Sequence, residues 1–286
     1  MSNIDTTLFL FTGAGNNFVV IDGRKGDADK YRQVPVIQEL CSKYGTDGLM
    51  ILTEMPGQAG HDAGAGHADF VMDFFNPDGS GGMMCGNGGR CIVAFADYLG
   101  LKPASEDGVW HFMAPDGPHE ARILSHEAGK WTVRLKMIDV EGVTPIKNGF
   151  FLNTGTRHYV EFRDDVDSID MEKDAKPIRW DPAFQPEGTN VNFVERTPQG
   201  LKVRTFEKGV EGETLACGTG ITASAIAARY EMPGQAGHDA EAGHDGLKLQ
   251  CRRGDWLSVE FTQEGSSYHD VYLTGPAELI KTTDIC

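Results

Sequence analysis

The sequence predicts an α+β protein of two pseudo-symmetric domains, each a mixed or antiparallel sheet wrapped around one central hydrophobic helix. Three observations predict this fold class. A pair of apolar segments joined by a glycine turn occurs at 8–22 and again at 149–162. A strand, a glycine-rich turn and a cysteine-led apolar stretch occur at 68–100 and again at 200–232. Both apolar stretches have little polar face, which is typical of helices surrounded by other structure.

The first repeated feature is a pair of strands. LFLFTGAGNNFVVID at 8–22 and GFFLNTGTRHYVEF at 149–162 each begin with an apolar run and reach a second run after a glycine and polar residues. Apolar runs bounded by glycine are typical of strands, and the glycine marks the turn between them. Each half of the chain is therefore predicted to contain the same two-stranded unit.

The second repeated feature is a strand followed by a helix. ADFVMDFF and GLKVRTFE alternate apolar and polar residues and predict strands, while IVAFADYL and ITASAIAA predict helices. The first helical stretch has Asp97 as its only charge, and the second has none. Cys85 and Cys217 stand just before these helices. We expect both helix N-termini to open toward one interdomain cleft, which is the predicted active site.

Two halves with one plan predict an N-terminal domain over 1–142 and a C-terminal domain over 143–274. A tail over 275–286 follows, with a return to the first half as one option. A second, nearly identical repeat has a different meaning. EMPGQAGHDAGAGH at 54–67 returns as EMPGQAGHDAEAGH at 231–244. Its Gly, Ala, Pro and His residues cannot build a core, so both copies are predicted to be loop insertions. Metal binding by their His and Asp residues is the weaker alternative, because these residues alone define no ligand geometry.

Charge and composition exclude several classes of function. The chain of 286 residues has a formal net charge of −16, whereas nucleic acids and anionic membranes attract basic surfaces. We therefore expect neither partner. No segment approaches the roughly 18 apolar residues of a membrane span, and the N-terminus lacks signal-peptide features. These features predict a cytoplasmic protein, in which the six cysteines remain thiols.

The two helix-leading cysteines have a chemical use. A thiol at a helix N-terminus feels the positive end of the helix dipole, which favours the thiolate. The glycines of Cys-Gly-Asn-Gly at 85–88 and Cys-Gly-Thr-Gly at 217–220 allow backbone N–H groups to approach a carboxylate. Two such sites could hold one amino acid with a sulfur on each side of its α-carbon, so that one removes a proton and the other returns one. No P-loop and no dinucleotide-binding fingerprint follows a strand.

The motifs GAGNNFVVID, FNPDGSGGMMCGNGGRC, GTNVNFV, FEKGVEGETLACGTG and LTGPAE together resemble the diaminopimelate epimerases, and they extend from about residue 8 to 278. The resemblance implies a cofactor-independent enzyme that interconverts LL- and meso-diaminopimelate in lysine and peptidoglycan precursor synthesis. It implies a small amino-acid substrate, no metal and no cofactor, and a homodimer. The related proline and hydroxyproline racemases usually have CGHG at the first turn, so Asn87 favours the epimerases.

The resemblance also implies roles for individual residues. Cys85 and Cys217 match the acid and base pair, and His158 and Glu207 match residues that tune these thiols. The family residues that hold the carboxylate at the reacting centre are matched by Gly86, Asn87, Gly218 and Thr219. Further substrate contacts are matched by Asn16, Asn76, Thr156, Asn190, Glu207 and Lys208. Each has a structural alternative: the asparagines as turn residues, Glu207 and Lys208 as a solvated charge pair, and His158 as a strand histidine. Cys91 is predicted to be a core residue, because its spacing from Cys85 fits no common zinc site.

Three departures from the family pattern leave the substrate open. Lys208 stands where arginine is usual, and a lysine lacks the fork that binds a carboxylate through two hydrogen bonds. Thr156 and Arg157 stand where Asn-Pro is common, and the interval from Glu207 to Cys217 is one residue longer than in many members. Two alternatives remain, and the departures at Lys208 and Thr156 bear on the first of them. One is a racemase or epimerase of a smaller amino acid such as proline or hydroxyproline, and the other is a non-enzymatic redox or binding module with a reversible Cys85–Cys217 disulfide.

Overall fold

A computed structural model describes residues 6–25, 28–55, 68–82, 85–231 and 246–285. The chain divides into two compact units. The first contains Met1–Leu135 and Gly275–Cys286, and the second contains Lys136–Thr274. The change of unit lies before the predicted boundary at residue 142, because Met137 and Val140 already hydrogen-bond to Val271 and Tyr268 of the second unit.

In its described residues, the first unit is a mixed sheet with two α-helices and one short 3-10 helix at Ala28–Arg32. Its strands follow one another in the sheet in chain order. They are β1 (Thr6–Gly13), β2 (Asn16–Asp22), β3 (Gly48–Thr53), β4 (Phe70–Phe75), β5 (Val109–Ala114), β6 (Gly117–Glu127) and β7 (Lys130–Lys136). The pairs β2–β3 and β4–β5 are parallel, and the others in this series are antiparallel. The helices are α1 (Val34–Tyr44) and α2 (Gly86–Tyr98).

The second unit is also a mixed sheet. Its strands are β8 (Thr144–Ile146), β9 (Gly149–Asn153), β10 (Arg157–Phe162), β11 (Asn190–Thr197), β12 (Gly200–Glu207), β13 (Gly212–Thr214), β14 (Leu247–Gln250) and β15 (Trp256–Glu264). Its helices are α3 (Met171–Asp174), α4 (Lys176–Arg179) and α5 (Gly218–Glu231). The sheet order is β15-β14-β12-β11-β10-β9-β8, and β10–β11 and β12–β14 are parallel.

The last strand, β16 (Ser267–Ile285), belongs to both units. Its first part pairs with β15 of the second unit. Its last part pairs with β7 and with β1, which closes the sheet of the first unit into a circuit. The tail over 275–286 is therefore the continuation of a strand that begins before it.

A buried helix occupies each unit, as the fold class predicts. In α2 every residue from Gly86 to Ala96 is buried, and the helix contacts β1, β2, β3 and β6. In α5 most residues are buried, and the helix contacts β9, β10, β11, β12, β14 and β15. A helix with neighbours on all sides needs apolar or small residues all round, which explains why neither sequence has a polar face.

The glycine turns have the conformations that their sequences predict. Gly13 pairs with Asn16, so Ala14 and Gly15 alone connect β1 to β2, with φ angles of 50° and 106°. Positive φ at both central residues matches the twist of a tight hairpin and favours glycine. The predicted strand pairs at 8–22 and 149–162 are observed as β1–β2 and β9–β10.

The repeated Gly, Ala, Pro and His segments lie almost entirely outside the described residues. The first copy stands between β3 and β4, and the second between α5 and β14. Their prediction as loop insertions stays a prediction. None of the helices in the described ranges has the length and apolar character that a membrane span requires.

Candidate functional site

Cys85 lies directly at the N-terminus of α2. Its backbone is extended, with φ −85° and ψ 133°, and its carbonyl oxygen accepts the first helical hydrogen bond from Gly89 N at 2.8 Å. The residue is half-buried. The chain therefore changes from extended to helical at this thiol, which places it at the positive end of the helix dipole.

A chain of polar contacts supports this helix N-terminus. Arg90 has no exposed surface, and its Nη2 donates to Asn87 Oδ1 at 2.8 Å. Its Nη1 donates to the carbonyl oxygen of Gly86 at 3.2 Å, so the guanidinium folds back toward the first turn. With the oxygen of its amide held by Arg90, Asn87 donates through Nδ2 to Asn16 Oδ1. Asn16 thus accepts a hydrogen bond with its side-chain oxygen, and its contact with a substrate stays a prediction.

Close packing fixes the same turn from the side of β1. A Cβ atom on Gly13 would lie 2.8 Å from the backbone oxygen of Asn87 and 2.9 Å from the sulfur of Cys91. Neither group can give way, because one belongs to the helix backbone and the other is fully buried. Glycine is therefore required at Gly13 for β1 to approach the first turn of α2.

The candidate Asn76 lies in the turn after β4. Its backbone N–H donates to the Ser80 carbonyl, and its Nδ2 donates to Ser80 Oγ at 3.0 Å. Asp78 Oδ1 accepts from the backbone and the hydroxyl of the same serine. These bonds give Asn76 a structural role as a turn residue, which was the alternative for it. Its contact with a substrate stays a prediction.

Cys217 has the corresponding position in the second unit. Its carbonyl oxygen accepts the first hydrogen bond of α5 from Ile221 N at 2.8 Å, and 8% of the residue is exposed. Its sulfur lies 3.4 Å from the hydroxyl oxygen of Thr219. Gly218 is buried beside it. Both cysteines therefore begin a buried helix with the same backbone hydrogen bond.

A completely buried histidine lies behind Thr219. His158 of β10 has its Nε2 atom 2.9 Å from Thr219 Oγ1 and 2.9 Å from Thr156 Oγ1. Its Nδ1 atom lies 3.0 Å from the amide nitrogen of Asn192. Burial lowers the pKa of His158 to about 3. The imidazole is therefore neutral at physiological pH.

Asn190 links two other predicted residues, Thr156 and Lys208. Its side-chain oxygen accepts from the backbone N–H of Lys208 at 2.8 Å. Its amide nitrogen donates to Thr156 Oγ1 at 3.2 Å and to the Arg157 carbonyl at 3.1 Å. Asn190 therefore connects the start of β10 with the end of β12. In this arrangement the Thr156 hydroxyl oxygen accepts a hydrogen bond from the Asn190 amide.

Glu207 and Lys208 are held by separate partners. Glu207 Oε1 accepts from Thr214 Oγ1 at 2.5 Å, and Lys208 Nζ donates to the Glu187 carbonyl at 2.9 Å. The turn after them contains Glu211 at φ 55°, whose carboxylate accepts from Arg179 Nη2 at 2.8 Å.

The remaining described cysteines lie in the core. Burial raises the pKa of Cys91 to about 12, and it also raises the pKa of Cys41 and of Cys251. All three are therefore thiols at neutral pH. Within the parts of the chain that the structure describes, no group of three or more His, Cys, Asp or Glu residues is arranged to hold a metal ion.

Two functional candidates were not recognised from sequence. Arg90 lies inside the quoted CGNGGRC motif, and Asn192 lies inside GTNVNFV. The signal for Asn192 was its spacing of two from Asn190, which puts both side chains on one face of a strand. Nothing in the sequence indicated that Arg90 is buried or that it folds back to the first turn of its own helix.

Comparison with known proteins gives the family. The family model for diaminopimelate epimerase matches residues 9–123 and 150–280. The chain is 36% identical to the diaminopimelate epimerase of Flavobacterium psychrophilum, over 97% of this chain and 99% of that protein. It is 35% identical to the diaminopimelate epimerase of Chlorobaculum tepidum, over 94% of this chain and 97% of that protein.

Solved structures share the fold at low sequence identity. A phenazine biosynthesis protein of the PhzF family from Bacillus anthracis is 14% identical with a TM-score of 0.68, and the likeness covers 100% of both chains. A hydroxyproline epimerase from Agrobacterium vitis is 14% identical with a TM-score of 0.61, over 98% of this chain and 91% of that one. These likenesses support the α+β architecture alone. The family model and the full-length relatives establish that this chain belongs to the diaminopimelate epimerase family.

Proposed function

We propose that this protein interconverts LL- and meso-diaminopimelate by proton transfer between two thiols, in lysine and peptidoglycan precursor synthesis. Two findings support the proposal. The chain belongs to the family over most of its length, and each of its units has a cysteine at the N-terminus of a buried helix. The mechanism depends on the second finding, because it provides two thiols, each at the N-terminus of a buried helix.

The proposed step moves one proton at each face of the α-carbon. One cysteine, as thiolate, takes the α-hydrogen, and the electron pair of the broken C–H bond delocalises into the carboxylate. The other cysteine, as thiol, gives its proton to the opposite face. The stereocentre is inverted, and the two sulfurs have exchanged protonation states. The reverse reaction starts from this exchanged state, so each thiol serves as acid in one direction and as base in the other.

Backbone groups of the two turns would stabilise the developing charge. A carbanion next to a carboxylate places negative charge on the carboxylate oxygens, which need donors in fixed positions. The first turns of α2 and α5 offer such donors at Gly86, Asn87, Gly218 and Thr219. Charge stabilisation of this kind requires no cofactor as electron sink, in agreement with the expectation of a cofactor-independent enzyme.

The far end of the substrate would be held by polar residues. Diaminopimelate carries a second amino and carboxyl group, which need an acceptor and donors respectively. The NH2 group of Asn16 and the ammonium group of Lys208 would donate, and the Glu207 carboxylate would accept. Asn76, Thr156 and Asn190 would complete this part of the site. A smaller amino acid lacks the second amino and carboxyl groups. If the substrate is a smaller amino acid, these polar residues would have no distal group to bind.

Deuterium incorporation tests the proposal. Purified protein incubated with LL-diaminopimelate in D2O under reducing conditions should form the meso isomer with deuterium at the inverted α-carbon. Cys85→Ser and Cys217→Ser should each lower turnover by at least about 100-fold, because each removes one proton-transfer group. Cys91→Ala is the matched control, a buried cysteine of α2, and should turn over normally. Turnover of proline or hydroxyproline with no exchange of diaminopimelate would replace this proposal with the racemase alternative.

Two further expectations concern the protein as a whole. We propose a cytoplasmic homodimer that acts on a small amino acid, without nucleic-acid or membrane partners. The acidic composition supports the expectation of neither nucleic-acid nor anionic-membrane partners. Light scattering coupled to size exclusion measures the oligomeric state, and a monomer mass would contradict the dimer.

A further inference from the structure

Asn192 is a buried amide with every polar atom in a defined contact. It lies on β11, two residues after Asn190, and has no exposed surface. Its side chain approaches Thr205 of β12, the backbone of Tyr159 on β10, and the His158 imidazole. Gly220 of α5 also lies against it, since a Cβ atom there would be 2.4 Å from Asn192 Oδ1. The contacts come from β10, β12 and α5.

These contacts fix which end of the amide is nitrogen. The Asn192 nitrogen lies 3.0 Å from the carbonyl oxygen of Tyr159, which can only accept a hydrogen bond. An amide oxygen at that place would face another oxygen, so the NH2 group must be there. Asn192 Oδ1 accepts at the other end from the hydroxyl of Thr205 at 2.9 Å. The orientation follows from the backbone and does not depend on the histidine.

The fixed amide determines the tautomer of His158. With one hydrogen on the Tyr159 carbonyl, Nδ2 of Asn192 directs its other hydrogen at His158 Nδ1, 3.0 Å away. A neutral imidazole that accepts at Nδ1 carries its proton on Nε2. The other groups that face the imidazole are Thr156, Asn190, Thr219 and Gly220, all of them uncharged. None of these groups competes for the proton with a negative charge.

The tautomer sets the direction of the hydrogen bond at Cys217. His158 Nε2–H donates to the hydroxyl oxygens of Thr219 and Thr156, each 2.9 Å away. Asn190 also donates to Thr156, whose hydroxyl lies 3.1 Å from that of Thr219. The hydroxyl oxygen of Thr219 therefore accepts hydrogen bonds from the side of His158 and Thr156. Its own hydroxyl hydrogen is left to point at the sulfur of Cys217, 3.4 Å away.

We propose that Asn192 is a positioning residue of the reaction: it holds His158 as the Nε2–H tautomer and so makes Thr219 a hydrogen-bond donor to the Cys217 sulfur. A hydrogen bond donated to sulfur favours the thiolate, which is the form that accepts the α-proton. The opposite tautomer would accept the Thr219 hydrogen and withdraw it from the sulfur. The catalytic role of Asn192 rests on the proposed function. The tautomer of His158 does not depend on it.

The wild-type protein provides the first test. Long-range proton–nitrogen spectra of protein labelled with 15N-histidine distinguish the two neutral tautomers, and the missing signal in His158→Gln identifies His158. At pH 7 we expect His158 with a protonated Nε2 and an unprotonated Nδ1. A protonated Nδ1, in either the other tautomer or the imidazolium, would overturn the inference. This test requires no variant of Asn192 to fold.

Asn192→Leu provides the second test. It removes the amide at similar volume, and Ser224→Ala is the matched control because it removes a buried hydrogen bond of α5 that does not involve His158. The rate of iodoacetamide reaction at Cys217, followed by peptide mass spectrometry, reports its thiolate fraction. We expect the midpoint of the pH profile to rise by about one unit in Asn192→Leu, a tenfold lower rate at neutral pH, and to stay in place in Ser224→Ala. An unchanged profile in Asn192→Leu would refute the positioning role.

Epimerisation gives an additional readout that separates the two proposals. In Asn192→Leu we expect kcat to fall by about tenfold with KM nearly constant, because Asn192 acts through His158 and Thr219 and is not one of the proposed substrate contacts. If the wild-type protein does not epimerise diaminopimelate, the proposed function fails, while the tautomer and the alkylation profile still decide the role of Asn192.

Discussion

The hydroxyl oxygen of Thr219 lies 3.4 Å from the sulfur of Cys217, and it lies 2.9 Å from Nε2 of His158 on its other side. A neutral, buried imidazole is thus one hydroxyl away from a thiol. Its effect on Cys217 passes through the threonine, which makes Thr219 the residue to test first.

Thr219→Val should reduce the thiolate fraction of Cys217. Valine keeps the shape of the side chain and loses the hydroxyl that lies beside the sulfur. Since a hydrogen bond to a charged group contributes about 1.5–3 kcal/mol, alkylation of Cys217 at neutral pH should slow by roughly 10-fold to 100-fold. Thr219→Ser retains the hydroxyl and should stay within about threefold of wild type. Equal loss in both variants would show that the methyl group matters and the hydroxyl does not.

The first thiol has a different support, and Arg90→Gln tests it. Arg90 brings a buried positive charge to the first turn of α2, where it also holds Asn87. Glutamine keeps a donor and removes the charge. The pH midpoint for alkylation of Cys85 should therefore move upward, by about one unit, because a nearby opposite charge is lost. Arg90→Lys keeps the charge and should shift the midpoint less. A midpoint that stays at the wild-type value in Arg90→Gln would remove the electrostatic role.

Much of this architecture could be predicted from the sequence. The strand pairs at 8–22 and 149–162 and the helices after Cys85 and Cys217 follow from local patterns, because glycine turns and apolar periodicity act over a few residues. Helix α1 was not predicted, although its buried Ile37, Leu40 and Cys41 recur at helical spacing. It lies outside the repeated plan of the two halves.

The contacts around the thiols could not be predicted in the same way. Arg90 meets Pro276, and His158 meets Thr219, across long stretches of chain that only the folded sheet brings together. The family resemblance named His158 as a residue that tunes the thiols without giving its partners. The sequence also offered Asn190 as either a turn residue or a ligand. The structure gives it bonds to Thr156, Arg157 and Lys208, which make it a support for other candidates.

His158 should make the protein less stable as the pH falls below neutrality. Its pKa is about 3 in the folded protein and about 6.5 in the unfolded chain. Between these values the unfolded chain binds a proton that the folded protein does not, so the free energy of unfolding decreases as the pH falls. Between pH 7 and pH 5 the loss due to this residue is about 2 kcal/mol.

Urea denaturation at both pH values measures this effect. His158→Gln lacks the titrating group, so its free energy of unfolding should fall less between pH 7 and pH 5 than that of wild type, by about 2 kcal/mol. The comparison uses the change with pH in each protein, which separates titration from the packing cost of the substitution. The same pH dependence in both proteins would contradict the low pKa of His158.

Alkylation should distinguish the helix-leading thiols from the core thiols. Burial raises the pKa of Cys91 to about 12 and also raises those of Cys41 and Cys251, so these residues have little thiolate at pH 7.5. Native protein treated briefly with iodoacetamide and digested should carry the label at Cys85 and Cys217 well before these three. The core cysteines should react only after denaturation. Early labelling of Cys91 would contradict its burial in α2.

The fourth residues of the two cysteine turns should respond differently to the same substitution. A Cβ atom on Gly220 would lie 2.4 Å from Asn192 Oδ1 and 3.3 Å from the His158 ring, so Gly220→Ala must displace the amide that holds the histidine. A Cβ atom on Gly88 would meet the ends of Met50 and Met72 at 3.3 Å and 3.5 Å, and these flexible side chains can move. Gly88→Ala should therefore change the free energy of unfolding by less than about 1 kcal/mol, with alanine's helix propensity offsetting the contact. Gly220→Ala should cost about 1–3 kcal/mol from overpacking and slow the alkylation of Cys217.

Urea unfolding of both variants, with peptide mapping of the label, measures the contrast. Equal costs in the two variants would mean that the packing around Asn192 is no tighter than that around the methionines.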